Sequence, residues 1–374
     1  MDDAEAAPVA LSSGATTRSV VLARLCNGLP VPEDFRIAEA PLPCPRDGEF
    51  LVRNILVSVD PGTRARLSGT ASYVPPLRPG DLVGAFSVGE VVESRHPDYQ
   101  AGEIVALAVG WAEHVMCNGH GFIRRITDRR LPLPAWLGVL GVSGMTAWFG
   151  LNRVGRLRDG ETVVVTSAAG AVGSAAGQLA RARGCKVIGI AGGPEKCRWL
   201  TDVAGFDRAI DYKAHAMAQR GETGSPLADA LTEALTAVGS KGVDVLFDNV
   251  GNRMIDTVIP LMRTGARIVS SGQMDAYNRT GDDPDTGLHN TRAFITHRLR
   301  MEGFVVFDDL PAWGEAEQAM AEMVLDGRLI WPCEVRDGLQ AVPEAFAGLF
   351  RGDNHGRRLV RLAPDPADFP EMPK

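Results

Sequence analysis

The sequence lacks several features that mark common classes of protein. No stretch approaches 18 consecutive apolar residues, so we expect no membrane-spanning helix. Lysine and arginine are scattered and the net charge is −7, which argues against a nucleic-acid partner. The six cysteines include no Cys-x-x-Cys pair, a pattern typical of reduced thiols, so we expect a cytoplasmic location. The acidic first residues lack the basic and apolar regions of a signal peptide, and we predict a flexible leader over residues 1–18.

Two textures alternate along the rest of the chain. The first part has short apolar strands, such as Glu49–Ser58, separated by clustered prolines, which is typical of a β-rich domain. The middle part alternates continuously apolar strands with helices, which indicates a parallel sheet covered on both faces. The strand-and-loop texture then returns. We therefore predict an α/β protein with a β-rich domain formed by residues 19–140 and 331–374, and a Rossmann-type doubly wound domain formed by residues 141–330.

Three segments are harder to assign from pattern alone. The apolar run Ala135–Leu151 contains several glycines, and we predict a packed helix there. The short runs Leu82–Phe86 and Gly303–Phe307 are rich in apolar and aromatic residues, and we predict a strand at each.

The most informative stretch is the junction between a predicted strand ending at Thr166 and the helix that follows. Ala168, Gly170 and Gly173 have the spacing Ala-x-Gly-x-x-Gly. Small residues here let the backbone approach a pyrophosphate, whose charge then meets the N-terminus of the helix. The alternative is a tight turn of the same kind in a doubly wound fold that binds no dinucleotide. The surrounding pattern favours the dinucleotide site. A strand precedes the motif, a helix follows it, and a second strand comes at the spacing expected of a βαβ unit.

The end of the second predicted strand, at Ile190, distinguishes between cofactors. An NAD site would place an acid there to bind the ribose 2′-hydroxyl. The strand end carries no acid, and Lys196 and Arg198 follow, so we predict NADP(H) with Lys196 on the 2′-phosphate. Glu195 leaves NAD open, and the two cations would also suit a solvated helix start.

A zinc site is the main alternative to a metal-free mechanism. Catalytic zinc needs Cys, His or acidic ligands that converge, and structural zinc needs several closely spaced cysteines. Cys44 and Cys117 have no partner at motif spacing. His114 and His120 lie near Cys117, but the spacing is irregular and no acid completes the set. We predict no metal.

Several segments together are similar to one known family, and they cover nearly the whole chain beyond the leader. In chain order they are NGLPVPEDFRIAEAPLP, LVSVDP, AAGAVGSAAGQLARARGCKVIGIAGGPEKCRWL, FDRAIDYK, FDNVG, SSGQMDAYNRTG and FRGDNHGRRLV. They resemble the zinc-free prostaglandin reductase, alkenal reductase and curcumin reductase branch of the medium-chain dehydrogenase/reductase superfamily. The resemblance implies a GroES-like β domain, a Rossmann-type domain and a homodimer. It also implies NADPH-dependent reduction of a carbon–carbon double bond conjugated to a carbonyl, with a small enal or enone as substrate.

The resemblance also assigns expected contacts with NADP(H), position by position. The pyrophosphate contacts would be Ala169, Gly170, Ala171, Val172 and Gly173. The 2′-phosphate contacts would be Lys196 and Tyr212. The nicotinamide side and the rest of the cofactor site would be lined by Asn249, Ser271, Gly272, Gln273, Phe304, Val305, Val306 and Asn354.

Tyr277 is the expected catalytic residue. Reduction of an enone delivers hydride to the β carbon and leaves negative charge on the carbonyl oxygen, which needs a hydrogen-bond donor. The family places a tyrosine at this position, and its phenol can donate to the enolate and relay a proton. The alternative is that Tyr277 only packs.

The chain departs from the family after Ser58-Val-Asp-Pro. Relatives carry Tyr-Met-Arg there, whereas this sequence has Gly62, Thr63 and Arg64. Loss of the aromatic residue predicts a wider or more polar pocket, which puts the substrate range in doubt rather than the reaction. Arg64 and Arg66 are expected either to attract an acidic substrate group or to be surface or interface cations. NADPH:quinone reduction and a non-catalytic NADPH-binding protein remain alternative functions.

Overall fold

The computed structural model describes residues 14–69, 74–215, 225–278 and 287–372. These residues cluster into two units. The first unit contains the described residues up to Leu137, Val335–Arg351, and the described residues from Arg358 onward. The second unit contains the described residues of Gly138–Glu334, together with Gly352–Arg357. The sequence predicts a single return from residue 331, but residues 352–357 belong with the second unit.

The first unit is built on antiparallel strands. In chain order they are β1 (Thr16–Leu22), β2 (Phe35–Pro41), β3 (Phe50–Ser58), β4 (Phe86–Ser94), β5 (Ile104–Ala108), β6 (His114–Cys117) and β7 (Ile123–Arg125). β1 pairs with β2 from its first residue, so the predicted leader is wrong for Thr16–Arg18, which are strand residues. The alternation of exposed and buried positions along Thr16–Val20 explains why this segment pairs. The leader residues 1–13 lie outside the described part of the chain.

The second unit alternates helices and parallel strands. Its elements are α1 (Val142–Phe149), β8 (Thr162–Thr166), α2 (Ala171–Ala182), β9 (Lys186–Ala191), α3 (Pro194–Asp202), β10 (Arg208–Asp211), α4 (Pro226–Ala237), β11 (Val243–Asp248), α5 (Asn252–Val258), β12 (Met262–Ser270), α6 (Arg292–Thr296), β13 (Arg300–Gly303) and α7 (Trp313–Leu325). The sheet order is β10-β9-β8-β11-β12-β13, the Rossmann order, with β8 and β11 at the point where the order reverses. The predicted α/β class is confirmed.

The last elements complete the sheet of the first unit. They are β14 (Cys333–Asp337), α8 (Val342–Arg351) and β15 (Arg357–Arg361). The sheet runs β14-β15-β3-β4-β5-β7, and β6 pairs with β3. Trp111 is fully buried among aromatic edges, 5.6 Å from Phe35 and 5.4 Å from Phe346, and its indole N–H donates to the Ser58 carbonyl at 2.8 Å. The C-terminal segment therefore contributes core residues to the N-terminal domain.

Two of the predicted strands are wrong. At Leu82–Phe86 the chain makes only an isolated bridge from Leu82 to Val21, and β4 starts at Phe86. At Gly303–Phe307 the strand has already ended, since β13 covers Arg300–Gly303 and a 3-10 helix begins at Val306. Asp308, Asp309 and Pro311 in that helix favour a turn over a continued strand, and they outweigh the apolar run before them.

The predicted helix over Ala135–Leu151 is broken into three types of helix. A 3-10 helix covers Leu133–Trp136, α1 begins at Val142, and a π-helical segment covers Gly150–Val154. The backbone packs too closely here for most residues, since a Cβ at Gly144 would lie 1.6 Å from the Val139 carbonyl oxygen. In the part of the chain that the structure describes, no helix is both long and apolar enough to cross a bilayer.

A buried ion pair ties β12 to the segment before β8. The Arg267 guanidinium binds both carboxylate oxygens of Glu161, and its Nε donates to the Gly155 carbonyl at 2.7 Å. Burial opposes ionisation of Glu161, but hydrogen bonds from Arg267 outweigh it and lower the pKa of this carboxyl. The exposed Arg263 on the same strand instead pairs with Asp244.

We predict that Arg267→Leu lowers the free energy of unfolding by about 3 kcal/mol, because it leaves the Glu161 carboxylate buried without its partner. Urea denaturation of the full chain measures this change. The matched control is Arg263→Leu: the Arg263 side chain is exposed, and Asp244 keeps the Thr162 amide as a donor, so the loss should be less than about 1 kcal/mol. Equal losses in the two variants would contradict the role of the buried pair.

Candidate active site

The turn after β8 has the geometry of a dinucleotide-binding loop. Ser167 has a positive φ of 50°, and the Gly170 N–H donates back to its carbonyl at 3.0 Å. Helix α2 then begins at Ala171, with Gly170 as its N-cap and no side-chain cap. The amides of its first turn have no partners within the helix, so they present a site for an anion. The positions predicted for the pyrophosphate contacts form this turn.

Gly173 is required by a close approach of backbone. A Cβ at this position would lie 2.4 Å from the Ser167 carbonyl oxygen and 2.8 Å from the Ala168 Cα. Both are backbone atoms that cannot move without moving the turn itself. The third small residue of the motif therefore holds the helix against the strand end, as the sequence predicts.

The ends of β9 and β10 lie side by side, since Ala191 is in register with Asp211. Asp211 is the acid nearest this edge, and its carboxylate accepts the amides of Gly193 at 2.8 Å and Lys213 at 2.9 Å. The Asp211 carboxylate thus binds the backbone of the turn after β9 and of the turn after β10. The rest of the region suits a 2′-phosphate: the Tyr212 ring is 39% exposed, and a Cβ at Gly192 would lie 2.9 Å from Tyr212 Cε1 and 3.0 Å from Lys213 Cε. Lys213 is a cation that the motif reasoning missed, although it adjoins Tyr212 in the sequence.

Lys196 lies in the first turn of α3, whose N-cap Gly193 also has no side-chain cap. Its ammonium donates to the Gly352 carbonyl at 2.8 Å. A lysine fixed at an open helix N-terminus, close in sequence to the β9 turn, suits a phosphate dianion. The structure thus supports the electrostatics expected of this position, and the 2′-phosphate contact stays a prediction.

A buried network joins the ends of β8 and β11. The Thr166 hydroxyl donates to Asp248 at 2.7 Å and accepts the Asn249 amide at 2.8 Å. The Asn249 side chain donates to the Thr166 carbonyl at 2.7 Å, and the Gly251 amide donates to the second carboxylate oxygen of Asp248 at 2.8 Å. Asn249 is thereby fixed at the point where the sheet order reverses. Sequence reasoning singled out Asn249 and missed Thr166 and Asp248, which orient it.

Asp248 is fully buried. Burial raises the pKa of this carboxyl to about 7, although hydrogen bonds from Thr166, Val250 and Gly251 favour its ionised form, and the charge of Asp275 raises the pKa further. A carboxyl that changes protonation near neutral pH at the edge of a binding site is typical of functional sites, but structural networks produce the same shift.

The loop after β12 is held against the loop after β11 by backbone hydrogen bonds. The Ser271 amide donates to the Asp248 carbonyl at 2.8 Å, and the Asp275 amide donates to the Val250 carbonyl at 2.9 Å. A Cβ at Gly272 would lie 3.0 Å from the Asn249 carbonyl oxygen. Gln273 is exposed, and Tyr277, further along this loop, is half-buried. The structure therefore brings the predicted residues Ser271, Gly272 and Gln273 next to Asn249.

The remaining residues predicted to line the cofactor site differ in their exposure and in their contacts. Phe304 is half-buried and lies near Gly150, and Val305 is 36% exposed. Val306 is 6% exposed, so its side chain belongs to the core of this unit. Asn354 donates to the Gly356 carbonyl at 2.9 Å. The Gly356 amide in turn donates to the Ala169 carbonyl at 3.0 Å, which brings this segment to the dinucleotide turn.

The departure from the family pattern lies in the first unit, in a 3-10 helix over Pro61–Arg66. The surface alternative for Arg64 is wrong: its side chain is 1% exposed and donates to the carbonyls of Gly28 at 2.8 Å and Cys26 at 3.4 Å. Burial lowers the pKa of Arg64, and the nearby Cys26 and Asp34 oppose this. Arg64 is therefore a structural brace.

The histidines and cysteine considered as metal ligands have other roles. His114 Nδ1 pairs with the Thr17 hydroxyl at 3.2 Å, and burial raises the pKa of Cys117 to about 11, which keeps this thiol protonated. Among the described residues no group of three or more His, Cys, Asp or Glu is arranged to hold a metal ion.

Comparison with known proteins decides the family. A model described as the N-terminal domain of oxidoreductase matches residues 18–124, and one described as zinc-binding dehydrogenase matches residues 171–324. NADPH-dependent curcumin reductase of Escherichia coli (strain K12) is 37% identical over 355 residues, covering 93% of this chain and 97% of that protein. The chain belongs to the medium-chain dehydrogenase/reductase family.

Further relatives place the chain in the zinc-free reductase branch of this family. The 2-alkenal reductase (NADP(+)-dependent) of Nicotiana tabacum is 33% identical, covering 93% of this chain and 98% of that protein. Prostaglandin reductase 1 of Rattus norvegicus is 36% identical, covering 90% of this chain and 96% of that protein. The crystal structure of CurA in complex with NADPH from Vibrio vulnificus superposes with a TM-score of 0.82 at 34% identity, covering 93% of this chain and 100% of that one. The predicted family is confirmed.

We predict that Gly173→Ala in this reductase weakens NADPH binding roughly tenfold or more, a loss of at least about 1.4 kcal/mol, because the new Cβ displaces the turn. Fluorescence titration with NADPH measures the dissociation constant. Gly314→Ala is the control: it lies in α7, and a Cβ there meets nothing within 4 Å. Unchanged binding in Gly173→Ala would contradict the role assigned to the turn.

We predict that Asp248→Asn changes the pH dependence of stability. Burial raises the pKa of Asp248 to about 7 in the folded state, whereas the unfolded chain releases this proton near the ordinary value of 3.8, so rising pH across this window destabilises the wild type. Asparagine imitates the protonated form. The unfolding midpoint of the variant relative to that of the wild type should therefore rise between pH 5 and pH 8. An equal offset at both pH values would contradict this.

Proposed function

We propose that this protein reduces the carbon–carbon double bond of α,β-unsaturated aldehydes and ketones with NADPH. The coarser statement, an NADPH-dependent oxidoreductase of the medium-chain family, follows from its relatives and from the fit of the dinucleotide turn. The choice of the conjugated double bond as the reacting group is supported by the curcumin, alkenal and prostaglandin reductases it resembles. The homodimer and the cytoplasmic location stay predictions.

The observation that carries the proposal is the arrangement at the carboxyl edge of the parallel sheet. The open N-terminus of α2 suits the pyrophosphate, and Lys196 and Tyr212 suit the 2′-phosphate. Asn249 is locked beside the β12 loop, where the nicotinamide of a Rossmann-bound dinucleotide is expected. These residues fit the cofactor on their own geometry.

When bound, NADPH supplies the hydride for the β carbon of the substrate. The protein's own contribution is to hold substrate and cofactor in line and to stabilise the charge that develops on the carbonyl oxygen. We assign this second task to Tyr277, whose phenol donates a hydrogen bond to the enolate oxygen. The α carbon then takes up a proton, which Tyr277 can relay from solvent.

The residues that replace the family's Tyr-Met-Arg bear on the substrate range. Gly62 is exposed, and a Cβ there would meet nothing within 4 Å. The family's tyrosine is therefore missing from a position with open space around it. Arg64 is buried and its guanidinium binds the carbonyls of Gly28 and Cys26, which disfavours a contact with an acidic substrate group. We infer a preference set by shape rather than by an acidic group.

A panel of small enals and enones tests the reaction class. NADPH consumption is followed by absorbance, and the product is identified by mass. We expect a gain of two hydrogens across the double bond, with NADH a much poorer donor. Hydroquinone formation from quinones with no enone reduction would favour quinone reductase instead. Tight NADPH binding without turnover on any electron-poor alkene would favour a binding protein.

We predict that Tyr277→Phe lowers turnover of an enone roughly 10²-fold, because the enolate loses its hydrogen-bond donor. NADPH affinity should stay nearly unchanged, since the phenol contributes to the transition state. Steady-state kinetics and a separate NADPH titration measure the two quantities. Tyr99→Phe is the control, because Tyr99 stacks on Phe50 at 4.2 Å within the first unit. An unchanged rate in Tyr277→Phe would remove this residue from the mechanism.

A further inference from the structure

One short segment, Gly352–Gly356, connects the two anion-binding elements of the second unit. At one end the Gly352 carbonyl accepts the Lys196 ammonium at 2.8 Å. At the other end the Gly356 amide donates to the Ala169 carbonyl at 3.0 Å, and Gly356 forms a parallel bridge with Gly170. The segment lies outside the βαβ unit in sequence. It nevertheless fixes the lysine at α3 relative to the turn at α2.

The segment cannot easily shift in position. Gly356 has a φ of +67°, and a Cβ there would lie 2.1 Å from the Pro332 carbonyl oxygen. The His355 amide donates to Glu334 at 2.8 Å. These contacts hold the backbone of His355 between the two ends of the segment.

The His355 side chain has a buried nitrogen that makes no hydrogen bond within the described residues. Its ring meets the Trp199 ring edge to face, with centroids 4.6 Å apart and planes at 89°. Its Nε2 is buried and has no hydrogen-bond partner among the residues that the structure describes. Buried polar atoms without partners are rare in folded proteins, and each is explained by strain, by a trapped water or by a ligand.

The charges around His355 indicate what kind of ligand would bind beside its unpartnered Nε2. Burial lowers the pKa of His355, the nearby Lys196 ammonium lowers it further, and Glu334 opposes both. When no phosphate is bound, these effects therefore favour the neutral imidazole of His355. A phosphate group carries a charge of about −1.5 to −2 at pH 7, so its arrival beside Lys196 reverses the sign of the local field.

We propose that His355 determines specificity for the 2′-phosphate of the cofactor, by taking up a proton and adding a second positive charge beside Lys196 when the phosphate binds. This inference depends on the proposed contact between Lys196 and the 2′-phosphate. By linkage, the proton and the phosphate must strengthen each other's binding. The contribution of the His355 imidazole to 2′-phosphate affinity should therefore grow as the pH falls from 8 towards 6.

Two fragments of the cofactor test this without turnover. Adenosine 2′,5′-bisphosphate carries the 2′-phosphate and 5′-AMP lacks it. Calorimetry at pH 6, 7 and 8 gives their dissociation constants for the wild type and for His355→Phe, which keeps an aromatic edge against Trp199. We expect His355→Phe to weaken the bisphosphate roughly tenfold at pH 6 and less than about twofold at pH 8, with 5′-AMP unchanged throughout.

Proton uptake gives a second readout. Titrations in two buffers of different ionisation enthalpy count the protons exchanged on binding. The phosphate itself releases protons near its second pKa of about 6, so the comparison is between wild type and His355→Phe. We expect the wild type to take up more protons than the variant. His355→Gln, which keeps a polar side chain but cannot charge, should match His355→Phe in proton uptake.

The outcomes separate this inference from the function on which it depends. Equal bisphosphate affinity in wild type and His355→Phe at every pH would overturn it, and the imidazole would then only pack on Trp199. Equal weakening of bisphosphate and 5′-AMP would overturn it too, because the variant would have disturbed the site as a whole. Lys196→Gln tests the underlying contact: if it leaves bisphosphate affinity unchanged, the proposed 2′-phosphate site itself is wrong.

Discussion

One buried carboxylate, that of Asp248, holds together the carboxyl edge of the parallel sheet. One of its oxygens accepts the Thr166 hydroxyl and the other accepts the Gly251 amide. Its backbone carbonyl accepts the amides of Ser271 and Gly272 from the next loop. The ends of β8, β11 and β12 are therefore joined through a single residue. An unsatisfied group at such a place would destabilise the whole edge, because burial makes each missing hydrogen bond expensive.

The carboxyl edge of the sheet divides into a part with positive potential and a part without it. The open helix N-termini and Lys196 provide positive potential for phosphate groups at β8 and β9. The neighbouring region at β11 and β12 is tied by neutral amides and a carboxyl with a pKa of about 7. A dinucleotide has the same division, with charged phosphates at one end and a nicotinamide at the other. The residues expected to face the phosphates and those expected to face the nicotinamide thus lie at different strands along the sheet edge.

Local features were predictable from the sequence, and long-range ones were not. Gly170 and Gly173 act within one strand–turn–helix unit, so their spacing alone predicts their role. Thr166 and Asp248 are 82 positions apart, and only the folded sheet brings them together. Lys196 and Gly352 are 156 positions apart, and the family resemblance indicated only that Asn354 returns to the cofactor site, so the Lys196 contact and the setting of His355 come from the fold alone. The wrong strand at Gly303–Phe307 has a different cause, since local turn residues outweighed an apolar run.

The central claim is that hydride reaches the β carbon of a conjugated carbonyl compound. NADPH deuterated at both C4 positions, incubated with a small enone in ordinary water, tests it most directly. Mass spectrometry and NMR of the product locate the label. Deuterium on the β carbon of a saturated ketone, with an unlabelled hydrogen added at the α carbon, is the predicted result. Deuterium on the carbonyl carbon of an allylic alcohol would contradict the claim.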